Sequence, residues 1–317
     1  MDIAKDGGRS RWRSLPLGMK TGMEPAADGW PIRRFEWPAP ADRPARGSLM
    51  FQTGRGDFIE KYIEALGHWH DRGWRLEGFD WRGQGGSGRF LADGSVGHAD
   101  GFDRWVDDLD VAVARWMART SGPHVLIGHS MGGHLALRLL AERHPRIDAA
   151  VLVSPMLGFA MGLLPIWAAR LIAGAACRFG FADRAAWGAG TQPMPAHRQL
   201  NLTRSADRYA DELWWRSSRP DLAIGAPSWG WLRGGLASMA RLAAPGVLEA
   251  VKTPILILAT PRDRLVSASA IRGAAARLPN GRLRMFESGA HELLREEDDV
   301  RLPALAAIDD FVDEVAP

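Results

Sequence analysis

The residues that most clearly indicate a chemical activity are 128–132, which read Gly-His-Ser-Met-Gly. A short apolar run at 124–127 precedes them, and a helix-like stretch at 135–143 follows. A serine in the sharp turn between a strand and a helix has strained backbone geometry, and its hydroxyl projects clear of the sheet. The flanking glycines let strand and helix approach without a Cβ clash. The pattern predicts that Ser130 is a nucleophile and that the backbone N–H of Met131 stabilises an oxyanion.

A serine hydroxyl is a weak nucleophile near neutral pH and needs a base that accepts its proton. The histidines that follow Ser130 are His134, His144, His197 and His291. His134 and His144 lie on or at the end of the helix after the serine, which directs them away from the turn. His197 lies in a segment without a strand pattern. His291 follows the last predicted strand, in a loop, and is therefore the predicted base.

The imidazole in turn needs a carboxylate that orients and stabilises it. Asp263 lies in the loop after the predicted strand 254–260. The strand that ends at Val153 is followed by no acid for many residues, and Asp309 and Asp310 fall inside the last predicted helix. Asp263 is therefore the predicted acid. The alternative is a loop carboxylate that only caps the turn or pairs with the arginines on either side of it.

These three residues need a framework that brings the ends of several strands together. Strands are predicted at 32–37, 48–52, 74–80, 124–127, 149–153, 254–260 and 282–286. Most are separated by helical patterns, and strands that alternate with helices predict a mainly parallel sheet covered on both faces. The nucleophile, acid and base would then share the carboxyl edge of the sheet, where substrates bind in such folds.

Further short motifs accompany the three residues. They are Gly54-Arg55, Glu60-Lys61-Tyr62, residues 80–85, Gly97-His98, His291-Glu292-Leu293-Leu294, residues 221–225 and Trp229-Gly230-Trp231. With these motifs, the chain from about residue 30 to its end resembles the bacterial lysophospholipases and monoacylglycerol lipases. The resemblance implies an α/β-hydrolase fold with a helical cap inserted after the sixth strand. It also implies a triad of Ser130, Asp263 and His291.

The same resemblance implies a second oxyanion donor in the loop after strand 48–52. The backbone N–H of Arg55 is the candidate, with that of Met131 as its partner. Many relatives have His-Gly where this chain has Thr53-Gly54. Because the donor is a backbone group, the oxyanion site does not require a histidine at position 53, but the orientation of the loop is left open. An ordinary turn before a helix is the alternative for this segment.

The composition excludes several classes of partner and cofactor. Forty basic residues oppose 37 acidic ones, a net charge of +3, which does not make a nucleic-acid-binding surface. The single cysteine, Cys177, excludes an internal disulfide and a cysteine metal cluster. The loop at 82–88 lacks the Gly-Lys-Ser/Thr ending of a phosphate loop. We expect no metal and no organic cofactor.

One uncharged stretch, 149–169, is long enough to span a bilayer. It contains Pro155 and Pro165, and a spanning helix there would remove a strand from the sheet. We therefore expect a buried strand that leads into an apolar insertion. The start of the chain shows no secretory signal pattern. The expected location is the cytoplasm, with peripheral membrane contact through the cap as the open alternative.

Three regions are predicted: a mobile N-terminal arm (1–30), a hydrolase core (31–154 and 246–317) and the cap (155–245). The cap is rich in Gly, Pro and Trp and has no strand pattern. Its apolar residues are predicted to line an acyl groove; the alternative is that they form the core of the cap itself. The candidates for this groove are Met156, Leu157, Phe159, Met161, Leu163, Leu164, Trp167 and Trp229.

These features predict hydrolysis of monoacyl lipid esters through an acyl-enzyme on Ser130. A short soluble ester, or acyl transfer to another alcohol, would use the same triad. A peptide with a free N-terminus is another alternative, for which the cap supplies acids that could pair with the amine (Asp183, Asp207, Asp211 and Glu212). A non-catalytic binding protein on a hydrolase fold is the alternative of another class. The oligomeric state is not predicted.

Overall fold

The computed structural model describes residues 10–92, 94–160, 162, 164–187 and 195–316, and it is built on one large sheet and one small one. The strands of these residues are β1 (Lys20–Pro25), β2 (Pro31–Trp37), β3 (Gly47–Gln52), β4 (Trp74–Phe79), β5 (Val96–Gly97), β6 (His124–His129), β7 (Ala149–Val153), β8 (Ala226–Pro227), β9 (Ile255–Ala259) and β10 (Gly281–Met285).

The large sheet has eight strands in the order β1-β2-β4-β3-β6-β7-β9-β10. The β1–β2 and β2–β4 pairs are antiparallel, and all later neighbours are parallel. The carboxyl ends of β3, β6, β7 and β9 therefore meet at one edge. The predicted α/β architecture with a mainly parallel sheet is confirmed.

Helices cover both faces of this sheet. The helices of the described residues are α1 (Ile63–His70), α2 (Asp103–Arg119), α3 (Met131–Glu142), α4 (Ile166–Arg178), α5 (Pro195–Leu202), α6 (Ala206–Ser218), α7 (Trp229–Leu242), α8 (Ala268–Ala275) and α9 (Asp298–Val315). Side chains alternate across a strand. In β6, Val125 and Ile127 join the core under α1 and α9, whereas Leu126 joins the core under α2, α3 and α8. A fully apolar strand such as β6 is what two buried faces require.

Helices α4 to α7 lie in the chain between β7, the sixth strand of the large sheet, and β9. The two-stranded pairing of β5 with β8 connects this segment to the core. Helix α7 also packs on the core, where Leu236, Met239 and Leu242 join the cluster under α2 and α3. We keep the name cap for residues 155–245.

The prediction of a mobile arm at 1–30 is wrong for part of that range. Strand β1 pairs with β2 over its whole length, and a 3₁₀ turn at Ser10–Arg13 comes before it. Strand β1 is exposed on both faces, so it carries no hydrophobic alternation that would reveal a strand. Its backbone ladder with β2 holds it instead. Residues 1–9 lie outside the described part of the chain.

The uncharged stretch 149–169 forms strand β7 and the first turn of α4 rather than one helix. Among the residues that the structure describes, no helix combines the length and apolar character that crossing a membrane requires. Met161 and Leu163, two candidates for the acyl groove, lie outside the described residues.

Candidate active site

Ser130 occupies the turn between β6 and α3 with φ of 52° and ψ of −116°, the strained backbone expected from the sequence. Its N–H donates to the carbonyl of Val153 at 2.9 Å, which fixes the turn against β7. A Cβ at Gly128 would lie 2.7 Å from the Gly132 carbonyl, and one at Gly132 would lie 2.5 Å from Thr53 O. Only glycine fits at both positions, because strand β6, helix α3 and the carboxyl end of β3 converge here.

Asp263 and His291 are joined by a hydrogen bond of 2.7 Å between Asp263 Oδ2 and His291 Nδ1. The other oxygen, Asp263 Oδ1, accepts from the N–H groups of Leu265 at 2.8 Å and Val266 at 3.0 Å. Asp263 follows β9 and His291 follows β10, and the hydroxyl of Thr260 ties the two loops together by donating to Gly289 O at 2.9 Å. Both side chains are buried.

The electrostatics of this pair suit a base and the acid that orients it. Burial alone would raise the pKa of Asp263, but the charge and hydrogen bond of His291 and two backbone N–H groups hold it below its usual value. Burial alone would lower the pKa of His291, but Asp263 raises it overall. The neighbouring His129 has a pKa lowered to about 4 by burial and by the charge of His291. His129 is therefore neutral at pH 7.

Ser130 and His291 line one cavity of about 390 Å³. The hydrogen bonds of the described residues include His291 with Asp263 but none between Ser130 Oγ and the His291 ring; this contact is often long before substrate binds. Other residues that line the cavity are Arg55, Asp57, Lys61, His129, Met156, Phe159, Ala160, Trp187, Arg198, Leu202, Pro227, Trp231, Leu232, Arg264, Leu265, Val266 and Glu292.

The loop after β3 lies directly against the serine. A Cβ at Gly54 would be 3.1 Å from that of Ser130, so the backbone that leads into Arg55 passes close to Ser130. Gly54 N–H donates to Asp57 Oδ2 at 3.1 Å, and Trp81 Nε1 donates to Thr53 O at 2.7 Å. These bonds set the orientation of the loop that the sequence had left open.

The second candidate donor, Met131, is the first residue of α3. Backbone N–H groups in the first turn of a helix have no partner within the helix, and the helix dipole favours a negative charge beside them. The N–H groups of Arg55 and Met131 thus come from the two segments that flank Ser130.

A buried ionic cluster connects the cap to the core behind His291. Lys61 Nζ lies 2.6 Å from Asp57 Oδ1, 2.5 Å from Glu292 Oε1 and 3.1 Å from Glu212 Oε2. Arg295 also contacts Glu212, at 3.2 Å, and Glu292. Burial alone would lower the pKa of Lys61, but the three carboxylates raise it. Because Glu212 belongs to α6, whereas Lys61 and Arg295 belong to the core, the cluster anchors the cap.

Asp57, His129 and Glu292 also bring their potential ligand atoms within 4.8 Å of one another, as a metal site would. The ammonium of Lys61 already contacts both carboxylates. The cluster therefore contains its own cation, and a metal ion would have to displace it.

The predicted acyl-groove residues divide into two groups. Met156 and Phe159 line the cavity, whereas Leu157, Trp167 and Trp229 are not among its lining residues. Trp167 points outward because the inner side of α4 presents Ala169 and Ala173 to the core instead. Leu157 and Trp229 are partly buried against the core under α2 and α3. These three residues, and Leu164 with them, do not line this cavity, and their place in an acyl groove stays a prediction.

Sequence reasoning missed several residues that line the cavity, including Leu202, Arg198 and Trp231. The Trp-Gly-Trp motif that begins α7 contained a signal for one of them. Residues two apart on a helix point to different sides. Trp229 and Trp231 therefore could not both face the cavity, and the second one does.

Comparisons with known proteins identify the family of this chain and several proteins similar to it. The family described as serine aminopeptidase, S33, matches residues 43–298. Lysophospholipase L2 of Escherichia coli strain K12 is 32% identical over 275 residues, covering 83% of this chain and 79% of that protein. A probable lysophospholipase L2 of Haemophilus influenzae is 28% identical over 270 residues, covering 84% of each chain.

Among solved structures, a soluble variant of monoglyceride lipase from Saccharomyces cerevisiae, in complex with a substrate analog, superposes with a TM-score of 0.78. The match covers 96% of this chain and 97% of that one at 16% identity. At that identity the likeness concerns the fold, which both proteins share along almost their whole length.

Proposed function

The chain belongs to the serine aminopeptidase, S33, family and is an ester-hydrolysing α/β-hydrolase, and from this premise we propose that it cleaves monoacyl lipid esters through an acyl-enzyme on Ser130. The observation that carries the proposal is the cavity, which combines Ser130 and His291 with a largely apolar lining. The names of the lysophospholipase relatives support the same substrate class.

The proposed reaction proceeds in two halves. Ser130 Oγ attacks the ester carbonyl while His291 Nε2 accepts its proton, and Asp263 stabilises the imidazolium. The N–H groups of Arg55 and Met131 bind the oxyanion. His291 then gives the proton to the leaving alcohol. In the second half a water molecule, deprotonated by His291, attacks the acyl-enzyme and releases the fatty acid.

The apolar part of the cavity supports an acyl chain as the group bound there. Its members come from the core and from the cap, so the chain would lie between the two. They are Met156, Phe159, Leu202, Trp231, Leu232, Leu265 and Val266. Each methylene that the cavity buries contributes about 0.8 kcal/mol to binding.

We expect kcat/KM for p-nitrophenyl esters to rise with acyl length from acetyl to decanoyl, by up to about fourfold for each buried methylene. Monoacylglycerol and lysophospholipid of the same chain length should also be hydrolysed. The measurement is a set of initial rates below the critical micelle concentration. Activity confined to acetyl and butyryl esters would contradict the lipid assignment and leave a short-chain esterase.

The aminopeptidase alternative needs a carboxylate that can pair with the amine of the substrate. Of the described acids that line the cavity, Asp57 and Glu292 are both held by Lys61. Glu212, which the sequence offered for this role, is buried among Lys61, Arg198 and Arg295. The arrangement favours an ester substrate.

We also propose that the outer side of the cap contacts a lipid surface. Trp167, Leu171 and Phe179 are 63%, 66% and 75% exposed, although they are large and apolar. The segment between 164 and 182 contains Arg170 and Arg178 but no acid. Apolar side chains flanked by arginines match the interface of an anionic bilayer, where aliphatic and aromatic groups enter the acyl boundary.

The double variant Trp167→Ser/Leu171→Ser should bind vesicles of phosphatidylcholine and phosphatidylglycerol at least about tenfold more weakly, because it removes two apolar groups from the contact. Vesicle flotation measures the bound fraction. Leu302→Ser, which changes an exposed leucine on α9, is the matched control and should bind like wild type. Equal binding by the double variant and the control would refute the contact.

A further inference from the structure

The side chain of Arg55 enters the cavity that contains Ser130, and the proposed reaction uses only its backbone. No carboxylate of the described residues lies within ion-pair distance of its guanidinium. Its Nε is buried without a hydrogen-bond partner in the part of the chain that the structure describes. An arginine in a cavity normally has an anionic partner, because an unpaired buried charge is costly.

Two contacts and the absence of a side chain at Gly97 fix this guanidinium in place. Its Nη2 donates to the carbonyl of Gly225 at 2.5 Å, and its Cζ lies 5.3 Å from the centre of the Trp231 ring. A Cβ at Gly97 would lie 2.3 Å from Nη2, so glycine leaves room for the arginine. None of these contacts neutralises the charge, although the stacking on Trp231 is favourable. The group is therefore positioned, but no carboxylate in the described part of the chain forms an ion pair with it.

The charge persists at neutral pH. Burial, together with the nearby charges of Arg198 and Arg216, lowers the pKa of Arg55 to about 10, although the charge of Asp57 opposes this shift. The lowered pKa still lies well above 7. The two other arginines, which both lie against Glu212, do not compensate the charge of Arg55.

The other cations of the cavity differ from Arg55. Lys61 has three carboxylate partners, and Arg198 Nη2 lies 2.7 Å from Glu212 Oε1. Arg264 is exposed at the surface. Of the described cations that line the cavity, Arg55 is thus the one that is both sheltered from bulk water and without a carboxylate partner. An anionic group of the substrate could therefore serve as the partner of Arg55.

We propose that the guanidinium of Arg55 binds the phosphate of a lysophospholipid headgroup and so selects phosphate-bearing monoacyl esters over neutral monoacylglycerols. The inference rests on the proposed function, because it assigns the headgroup end of the same site. Guanidinium donors match phosphate oxygens in geometry as well as in charge. In such a lipid only the glycerol backbone separates ester from phosphate. One residue can therefore serve both, with its N–H at the carbonyl and its side chain at the headgroup.

The test compares two lipids that share a decanoyl chain, lysophosphatidylglycerol and monodecanoylglycerol, both below their critical micelle concentrations. The quantity measured is the ratio of their kcat/KM values. Arg55→Gln should lower this ratio by about 10- to 100-fold, the effect of losing a charged hydrogen bond to phosphate. Arg55→Lys, which keeps the charge but not the planar donor set, should retain part of the preference.

Arg264→Gln is the matched control, because it removes a cation from the exposed rim of the same cavity; we expect its ratio to stay within about threefold of wild type. An equal loss on both lipids in Arg55→Gln would overturn the proposal, since it would indicate a general role in the loop. An equal fall of the ratio in Arg264→Gln would also overturn it, because the selection would then come from the general positive potential of the cavity rather than from Arg55. Thermal melting of each variant shows whether it is folded.

Inhibition separates the headgroup from other anions. Glycerol 3-phosphate should compete with lysophosphatidylglycerol in the wild type and much less in Arg55→Gln. Inorganic phosphate, which lacks the glycerol, should compete more weakly. If phosphate or decanoate instead competes as well as glycerol 3-phosphate in an Arg55-dependent way, the site binds a free anion and the headgroup assignment fails. If the wild type hydrolyses neither lipid, the proposed function itself is refuted.

Discussion

Replacement of Ser130 by alanine is expected to lower kcat for monoacyl ester hydrolysis by about 10⁴-fold or more, the scale seen when a serine hydrolase loses its nucleophile. The turn itself should survive. Gly128, Gly132 and the bond from residue 130 N–H to Val153 O hold it, and none of these needs the hydroxyl. Binding of substrate should therefore change far less than turnover.

Initial rates with monoacylglycerol, and labelling by a fluorophosphonate that reacts with activated serines, would measure this effect. Ser288→Ala is the matched control, since Ser288 is an exposed residue in the loop before His291. We expect the control to keep wild-type rate and labelling. A Ser130→Ala variant that still hydrolyses esters at a tenth of the wild-type rate would exclude the acyl-enzyme.

Asp263→Asn is expected to lower kcat by about 10⁴-fold while leaving the fold intact. The carboxylate now accepts the proton of His291 Nδ1. An amide that turns its NH₂ group toward Nδ1 makes that nitrogen an acceptor and moves the ring proton to Nε2. A protonated Nε2 cannot take the proton of Ser130. The expected loss of activity then comes from the wrong tautomer of His291 and not from a displaced ring.

The pH profile distinguishes this mechanism from a packing defect. In the wild type Asp263 raises the pKa of His291, and activity should fall as the pH drops through that raised value, because a protonated imidazole is no base. Without the carboxylate, burial is left to lower the pKa, so the acidic limb of Asp263→Asn should move to lower pH. Asp310→Asn, an exposed position on α9, should leave the limb in place. An unmoved limb in Asp263→Asn would contradict the pairing.

The sequence predicted the elements of the core because their signals are local. Short apolar strands alternate with amphipathic helices, and glycines surround Ser130. Asp263 and His291 each follow a strand, so topology alone brings them to the same edge. Their hydrogen bond is a consequence of this placement.

The cap was harder to predict, because its contacts depend on tertiary structure. In α4 the large residues face outward and Ala169 and Ala173 face inward, the reverse of the usual amphipathic pattern, so apolar character alone did not reveal that Trp167 is exposed. The partnership of Lys61 with Glu212 joins residues far apart in the chain, and spacing carries no signal for it. The same holds for the placement of the Arg55 guanidinium beside Gly225 and Trp231.

The ionic cluster behind His291 bears on how caps can be exchanged between relatives during evolution or engineering. Glu212 brings a buried negative charge from the cap, and Lys61 and Arg295 receive it in the core. A transplanted cap without an acid at this place would leave Lys61 with two carboxylate partners instead of three and Arg295 with one instead of two, which would weaken the contact between cap and core. The pairing of Glu212 with Lys61 and Arg295 therefore couples the choice of cap to the choice of core, and an exchanged cap would need an acid at the same place.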